Sequence, residues 1–239
     1  MLVKTNAIVL SKLKYRDNDL IVKCYTKQKG IASYLVRGAL KATKGSSKSI
    51  YFQPLSLLAV EGHVKPNNSL QTIKEVKLDC VFRTLHTNIY KGSIAMFLAE
   101  VLSSVLKEEE QNEPLYHYIE NTLLWLDHET EFSNFHLLFL LNLTKYLGFY
   151  PDDQNRTYGH FNLSNGLFES EKDELYAISG DNLNILRQLL GINFDGLNTV
   201  KLNSKQRQSF LNMILLYFEL HLGDFKKPKS LQVFNQVFN

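Results

Sequence analysis

Leu20-Ile21-Val22-Lys23-Cys24-Tyr25-Thr26-Lys27-Gln28-Lys29-Gly30-Ile31-Ala32-Ser33-Tyr34-Leu35-Val36-Arg37 is the stretch that decides the fold. Leu20, Val22, Cys24 and Thr26 alternate with Ile21, Lys23, Tyr25 and Lys27. After a turn at Lys29-Gly30, Ile31, Leu35 and the stem of Arg37 share one face and Ala32, Tyr34 and Val36 the other. A period of two on both sides of a turn is the pattern of paired strands. Working outward, Lys4 to Leu13 supplies a strand before this pair. Tyr51 to Val64 and Leu70 to Leu78 supply two after it, joined by the turn signal Lys65-Pro66-Asn67-Asn68. Five short strands with mostly short turns predict a small barrel, and the five-stranded OB-fold is the commonest such barrel that binds nucleic acid. One connection is longer: Gly38 to Ser49, rich in Gly, Ser and Lys, follows the third strand, where an OB-fold characteristically makes its excursion.

After Cys80 the texture becomes helical. Phe82, Leu85, Ile89, Ala95, Leu98, Leu102 and Val105 follow a helical spacing that ends at Glu108-Glu109-Glu110. Pro114 opens a second helix running through Trp125, in the first-turn position that proline tolerates. Phe132 to Leu147 is a third, very apolar helix stopped by Gly148, as expected of a helix covered by its neighbours. Pro151 to Glu171 reads as a loop or small hairpin around Asn165-Gly166. Asp181 to Leu190, Ser204 to Leu222 and Ser230 to Phe238 complete the helices, with Ser204 the expected N-cap and Gly223 the stop. The fold class is therefore α+β: an N-terminal barrel domain, residues 1–79, followed by a helical domain, residues 80–239.

Charge divides along the same line. Residues 1 to 80 hold 14 Lys and Arg against 5 Asp and Glu, and residues 81 to 239 hold 13 against 19, so a net +3 combines about +9 with about −6. A basic module attracts polyanions before contact. Its cations, Lys12, Lys14, Arg16, Lys23, Lys27, Lys29, Arg37, Lys41, Lys44 and Lys48, are interleaved with Tyr15, Tyr25 and Tyr34. Long cationic side chains suit phosphates and aromatic faces suit bases, which points to single-stranded nucleic acid. Lys12, Arg16, Arg37, Lys41, Lys44 and Lys48 are the candidate DNA-binding residues, because they combine charge with a strand-edge or loop position. Each tyrosine stands open between core and stacking.

Other chemistry lacks an anchor. No nucleophile elbow, Walker loop or dinucleotide-binding glycine set occurs, so no catalytic residue is assigned. The seven histidines form no His-x-His or His-Glu-x-x-His pair, and His136 lies in the apolar third helix. Cys24 and Cys80 are too few and too far apart for a disulfide framework or a Cys-x-x-Cys site, which fits a reducing cytoplasm. The opening Met1-Leu2-Val3-Lys4 has no long apolar run behind it. The apolar stretch near Leu137 to Leu147 is broken by Asn142, Thr144 and Lys145, so neither a signal peptide nor a membrane span is expected.

In order along the chain, Ala7-Ile8-Val9-Leu10, Tyr15-Arg16-Asp17-Asn18-Asp19, Thr26 with Gly30, Val36-Arg37-Gly38-Ala39, Lys44 to Ser49, Gln53-Pro54-Leu55, Tyr146-Leu147-Gly148-Phe149-Tyr150-Pro151 and Lys229-Ser230-Leu231 resemble the RecO family of bacterial recombination mediators. The resemblance extends from residue 7 to 231. It implies an OB-fold on a helical domain and a non-enzymatic role in DNA repair and recombination, binding single- and double-stranded DNA and annealing complementary strands. It also implies two protein partners: RecR, for recombinase loading, and the acidic C-terminal tail of the single-strand-binding protein. Arg83, Lys145, Arg187 and Lys205 to Arg207 are the candidate cations for that tail in the helical domain, which is read as a protein-docking unit. Many relatives carry paired zinc-binding cysteines after the Leu-Gly-x-x-Pro station. Asp152 to Leu167 contains none, so no metal or other cofactor is expected and hydrogen bonds and packing should hold this segment. Arg16-Asp17-Asn18-Asp19 also departs from relatives that carry a glutamate there. A protein-binding scaffold and an RNA-binding module are the competing readings.

Overall fold

Alternating apolar residues bury one face of each strand, and a strongly twisted sheet of five short strands covers that face by closing on itself. The computed structural model describes residues 2–41, 48–63, 70–107, 111–171 and 175–238. Strands β1 (Leu2–Tyr15), β2 (Asp19–Thr26), β3 (Gly30–Val36), β4 (Leu57–His63) and β5 (Gln71–Leu78) form a closed barrel in the order β1-β2-β3-β5-β4, with β4 returning to β1. All pairings are antiparallel except β3 with β5, which is the OB-fold arrangement. The 14-residue β1 serves both neighbours, Leu2 to Ile8 pairing with β4 and Ala7 to Tyr15 with β2. The irregularity between Val9 and Ser11 lets it bend from one to the other. Ala7, Val9, Leu20, Val22, Cys24, Tyr34, Val36, Phe52, Leu58 and Val60 fill the interior.

The fourth strand begins later than Tyr51. Lys48–Phe52 is a 3-10 turn, Pro54 has no N–H to give a ladder, and Leu55 takes a left-handed φ of 60°. The Leu55 N–H donates to the Val9 carbonyl at 2.8 Å and the Val9 N–H to the Ser56 carbonyl at 3.1 Å, so this segment closes onto β1 before β4 starts. Ala42 to Ser47, the Lys65 to Asn68 turn signal and Glu108 to Glu110 lie outside the described residues.

Packing divides the chain into two units, Met1–His128 with Pro228–Phe234, and Glu129–Lys227 with Asn235–Asn239. In the first, helices α1 (Ile89–Val105) and α2 (Glu113–His128) accompany the barrel. Helix α1 starts at Ile89 rather than Phe82, because the Asn88 side chain accepts from the N–H groups of Tyr90 and Lys91 and fixes the first turn there. The bypassed residues form turns gathered on Asp127: its carboxylate accepts the N–H groups of Arg83 at 2.9 Å, Thr84 at 2.7 Å and Leu85 at 2.8 Å. The buried Lys91 ammonium donates to the Thr84 hydroxyl and to the Asp127 carbonyl. Phe234 returns to this unit and stacks on Phe97 at 4.8 Å.

In the second unit, α3 (Phe135–Tyr146) is buried from Phe135 through Thr144, as its composition predicts, and packs with α5 (Ser204–His221), which also packs against α4 (Gly180–Leu189). The α5 cap is Asn203, one residue before the expected Ser204. Its side chain accepts the Gln206 N–H while the Gln206 side chain accepts the Asn203 N–H. The hairpin around Asn165-Gly166 is present as β6 (His160–Asn162) and β7 (Leu167–Glu169), joined by β8 (Ala177–Ile178). Gly166 has φ 75°, and a Cβ there would stand 2.7 Å from the Tyr217 hydroxyl, which donates to the Phe149 carbonyl. Hydrogen bonds hold the segment after Pro151. The Asp152 N–H donates to the Gly166 carbonyl at 3.0 Å, the Arg187 guanidinium to the carbonyls of Arg156 and Tyr158, and Arg156 to the carbonyls of Arg187 and Leu190. The Phe161 and Phe168 rings meet edge to face at 5.0 Å. The C-terminal helix α6 (Leu231–Phe238) ends the fold.

Candidate nucleic-acid interface

The barrel cations fall into two groups. Lys4 and Lys74 both reach Glu61, at 3.4 and 3.1 Å, Lys77 reaches Glu75 at 2.7 Å, and Lys27 reaches Glu113 at 2.9 Å. Lys23 donates to the Ser103 carbonyl and hydroxyl at the end of α1, where burial and then Lys107 lower its pKa. Those five are engaged. Lys12, Lys14, Arg16, Lys29, Arg37, Lys41 and Lys48 are exposed and make no ion pair with a described carboxylate. Lys44 lies outside the described residues.

Backbone bonds tie four of the free cations to one end of the barrel. Arg16 occupies the β1–β2 turn. There the Asp19 carboxylate accepts the Gly38 N–H at 2.8 Å, and the Asn18 carbonyl accepts the Leu40 N–H at 3.0 Å. That is the role of Asp19 in the polar station Tyr15 to Asp19: it holds the β1–β2 turn against the exit of β3. Arg37 and Lys41 flank this contact, and the Lys41 N–H closes a turn on the Gly38 carbonyl at 3.1 Å. The Ser49 N–H donates to the Ala39 carbonyl at 3.2 Å, bringing the neighbouring Lys48 to the same segment. Arg16 has φ 53°, a left-handed conformation that costs a non-glycine residue about 1 kcal/mol, and its guanidinium stands 5.2 Å over the Tyr15 ring. Lys12 and Lys14 extend the set along β1, past Ile8, where pairing with β4 ends.

Of the three tyrosines, two belong to the interior. Tyr25 is buried, and its hydroxyl donates to the Asn112 carbonyl at 3.1 Å while burial pushes its pKa up to about 12. Tyr34 lies in the barrel core. Cys24 is a core residue too, its thiol pushed up to about 12 by burial and so not a nucleophile near neutrality. Only Tyr15 stands beside the free cations.

The cations proposed for an acidic tail have separate surroundings. Arg187 donates to loop carbonyls, and Arg207 donates to the Leu202 carbonyl at 2.6 Å while burial lowers its pKa. Lys145 is exposed and stands 4.4 Å over the Tyr150 ring, and Lys205 and Arg83 are exposed. His136 is buried, and burial and then Arg207 lower its pKa to about 3, so it is neutral at physiological pH. The Asp127 knot is what a reading by motif misses. A carboxylate in the last turn of α2 opposes the helix dipole, and that wrong-signed position is the one signal of it in the sequence.

Among the described residues no group of three His, Cys, Asp or Glu side chains could hold a metal ion, and no helix is long and apolar enough to cross a membrane. The family model described as Recombination protein O N terminal matches residues 1–80, and Recombination protein O C terminal matches residues 86–232. The chain is 44% identical to the DNA repair protein RecO of Christiangramia forsetii, 43% to that of Flavobacterium johnsoniae and 39% to that of Bacteroides fragilis, each over the full length of both chains. With a five-stranded barrel followed by helices and these matches across both parts, the chain belongs to the RecO family of DNA repair proteins.

Proposed function

We propose that the barrel end carrying Lys12, Arg16, Arg37, Lys41 and Lys48, with Lys44 of the same connection, binds DNA through its phosphates, and that the protein is a non-enzymatic mediator that anneals complementary strands. The observation that carries this reading is the division of the barrel cations. Those near Glu61, Glu75 and Glu113 are neutralised, while the set at the β1–β2 turn and the exit of β3 has no described carboxylate partner. Annealing needs the charge of two strands neutralised with their bases left free to pair, so phosphate contacts should dominate. Binding of labelled single-stranded DNA, duplex DNA and RNA across a salt series tests this. Affinity for both DNAs should fall steeply and linearly with the logarithm of salt concentration; a flat response overturns the reading, and a clear preference for RNA reassigns it.

Residues 80–239, with a net charge of about −6 from residue 81 onward, serve on this reading as a docking unit for RecR and for the acidic tail of the single-strand-binding protein. An anionic surface repels phosphate and admits an acidic peptide only at a local cation. The full-length protein should therefore hold a labelled tail peptide and single-stranded DNA together. Displacement of the peptide by DNA in fluorescence polarisation would move the peptide site to the barrel.

A further inference from the structure

The sequence holds a single Asn-Gly pair, Asn165-Gly166, and the turn between β6 and β7 is built on it. An asparagine before glycine carries its own electrophile, because the next backbone nitrogen can attack the side-chain Cγ and glycine has no Cβ to crowd the approach. Here attacker and target are both restrained. Gly166 is buried and its N–H donates to the Asn162 carbonyl at 2.9 Å, which shields that proton from water. The exposed Asn165 amide is tied at both ends: Nδ2 donates to the Glu169 carboxylate at 2.7 Å, and Oδ1 accepts the Leu167 N–H at 3.0 Å. The buried Asn162 amide donates to the same carboxylate at 3.2 Å. The glycine itself cannot be exchanged, since its φ of 75° and the Tyr217 hydroxyl leave no room for a Cβ.

We infer that Asn165 is a site of spontaneous deamidation which the folded hairpin holds shut, so that conversion marks an opening of this hairpin and then keeps it from closing. When the turn opens, the Gly166 nitrogen gives its proton to solvent base and bonds to Cγ of Asn165. The Cγ–Nδ2 bond breaks, and ammonia leaves with a proton taken from solvent. Water then opens the succinimide ring at either carbonyl, returning a proton to the nitrogen and leaving aspartate or isoaspartate. Water is the only co-reactant, and the exposed side chain meets it. Either product puts a carboxylate where an NH2 group donated to Glu169, so a hydrogen bond becomes a like-charge contact. Isoaspartate also adds a carbon to the main chain and shifts the β6–β7 register. The change reaches beyond the hairpin, because the Gly166 carbonyl accepts the Asp152 N–H that anchors the segment after Pro151.

The test incubates the full-length protein, folded and unfolded in guanidinium chloride, at one pH, and reads conversion at residue 165 by peptide mapping and mass spectrometry. The unfolded chain should convert at least about tenfold faster, since the folded rate tracks the population of the open hairpin. Glu169→Ala should raise the folded rate about tenfold and leave the unfolded rate unchanged, because it removes a hydrogen bond to a charged acceptor. Glu169→Gln, whose amide oxygen still accepts, should stay within about threefold of the parent. Asn165→Asp, the product itself, should speed deuterium exchange of the Gly166 N–H about tenfold, and adding Glu169→Gln to it should restore the parental rate. Thermal melting verifies that each variant folds. A folded parent that converts as fast as the unfolded chain, conversion in neither, or a folded Glu169→Ala rate equal to the parent's overturns the site. Equal Gly166 exchange in Asn165→Asp and the parent overturns the claim that conversion keeps the hairpin open.

Discussion

Replacing Arg16, Arg37, Lys41 and Lys48 together by alanine should lower affinity for single-stranded DNA about a thousandfold near 0.1 M salt and reduce the slope of log K against log salt by about 3. Each phosphate neutralised on a single strand releases about 0.7 of a counterion, so four lost contacts remove roughly 2.8 from the slope, and at 0.1 M salt the same product gives the loss in log K. The loss should be alike for all sequences, because phosphates carry no sequence information. Folding should survive: all four side chains are exposed, and the bonds joining the β1–β2 turn to the N–H groups of Gly38 and Leu40 are accepted by the Asp19 carboxylate and the Asn18 carbonyl. Alanine at residue 16 carries the same left-handed strain that arginine already bears. The control is the triple variant Lys4, Lys74 and Lys77→Ala. It removes almost as much formal charge, but from lysines already paired with Glu61 and Glu75, and should change the slope by less than about 1. Filter binding over a salt series reads both variants. Equal effects would mean that net charge alone governs binding and that the barrel end has no special part in it.

The barrel was legible in the sequence because a strand's period is local. Leu20, Val22 and Cys24 point inward for the same reason that they alternate, and the residues that β2 and β3 give to the barrel core, Leu20, Val22, Cys24, Tyr34 and Val36, are those the alternation puts on one face. Helix α3 was equally legible, because a helix apolar on every side has to be covered. What failed depended on partners distant in sequence. Phe82 and Leu85 fit a helical spacing, yet the Asn88 cap and the Asp127 carboxylate, about forty residues on, fold them into turns. Tyr51 fits a strand, but Pro54 and the bonds between Val9 and the Leu55-Ser56 segment delay β4. Among the cations, position in sequence separates loop from strand but says nothing about Glu61 or Ser103. Thus Lys23 and Lys27, as basic as Lys41 by sequence, are tied to Ser103 and Glu113. The tyrosines were undecided for the same reason, since the acceptor that makes Tyr25 a structural residue is the Asn112 carbonyl.

Asp127→Ala should destabilise the unit formed by residues 1–128 and 228–234 by about 3–5 kcal/mol, the range for removing one partner of a buried charged network. The carboxylate accepts three N–H groups from Arg83, Thr84 and Leu85, and the Thr84 hydroxyl lies 3.2 Å from it. Alanine leaves those donors without their acceptor and removes the nearby negative charge from the buried Lys91 ammonium, which is bonded to the same Thr84 hydroxyl. Asp127→Asn keeps the shape and one acceptor oxygen but also presents an NH2 group to backbone donors, and should cost about half as much. Acid should separate the two effects. Burial works against the charged form of Asp127, but the three backbone N–H bonds and the Thr84 hydroxyl prevail and hold its pKa below the 3.8 ordinary for aspartate. A depressed folded-state pKa means that this stabilisation is fully present above about pH 4 and is lost as pH falls through the folded value. Urea denaturation between pH 2.5 and 7 should therefore show the parent losing stability more steeply in acid than Asp127→Asn, with the two curves converging at the lowest pH. Parallel curves over the whole range would mean that the Asp127 charge contributes nothing and that the turns from Arg83 to Leu85 are held by packing alone.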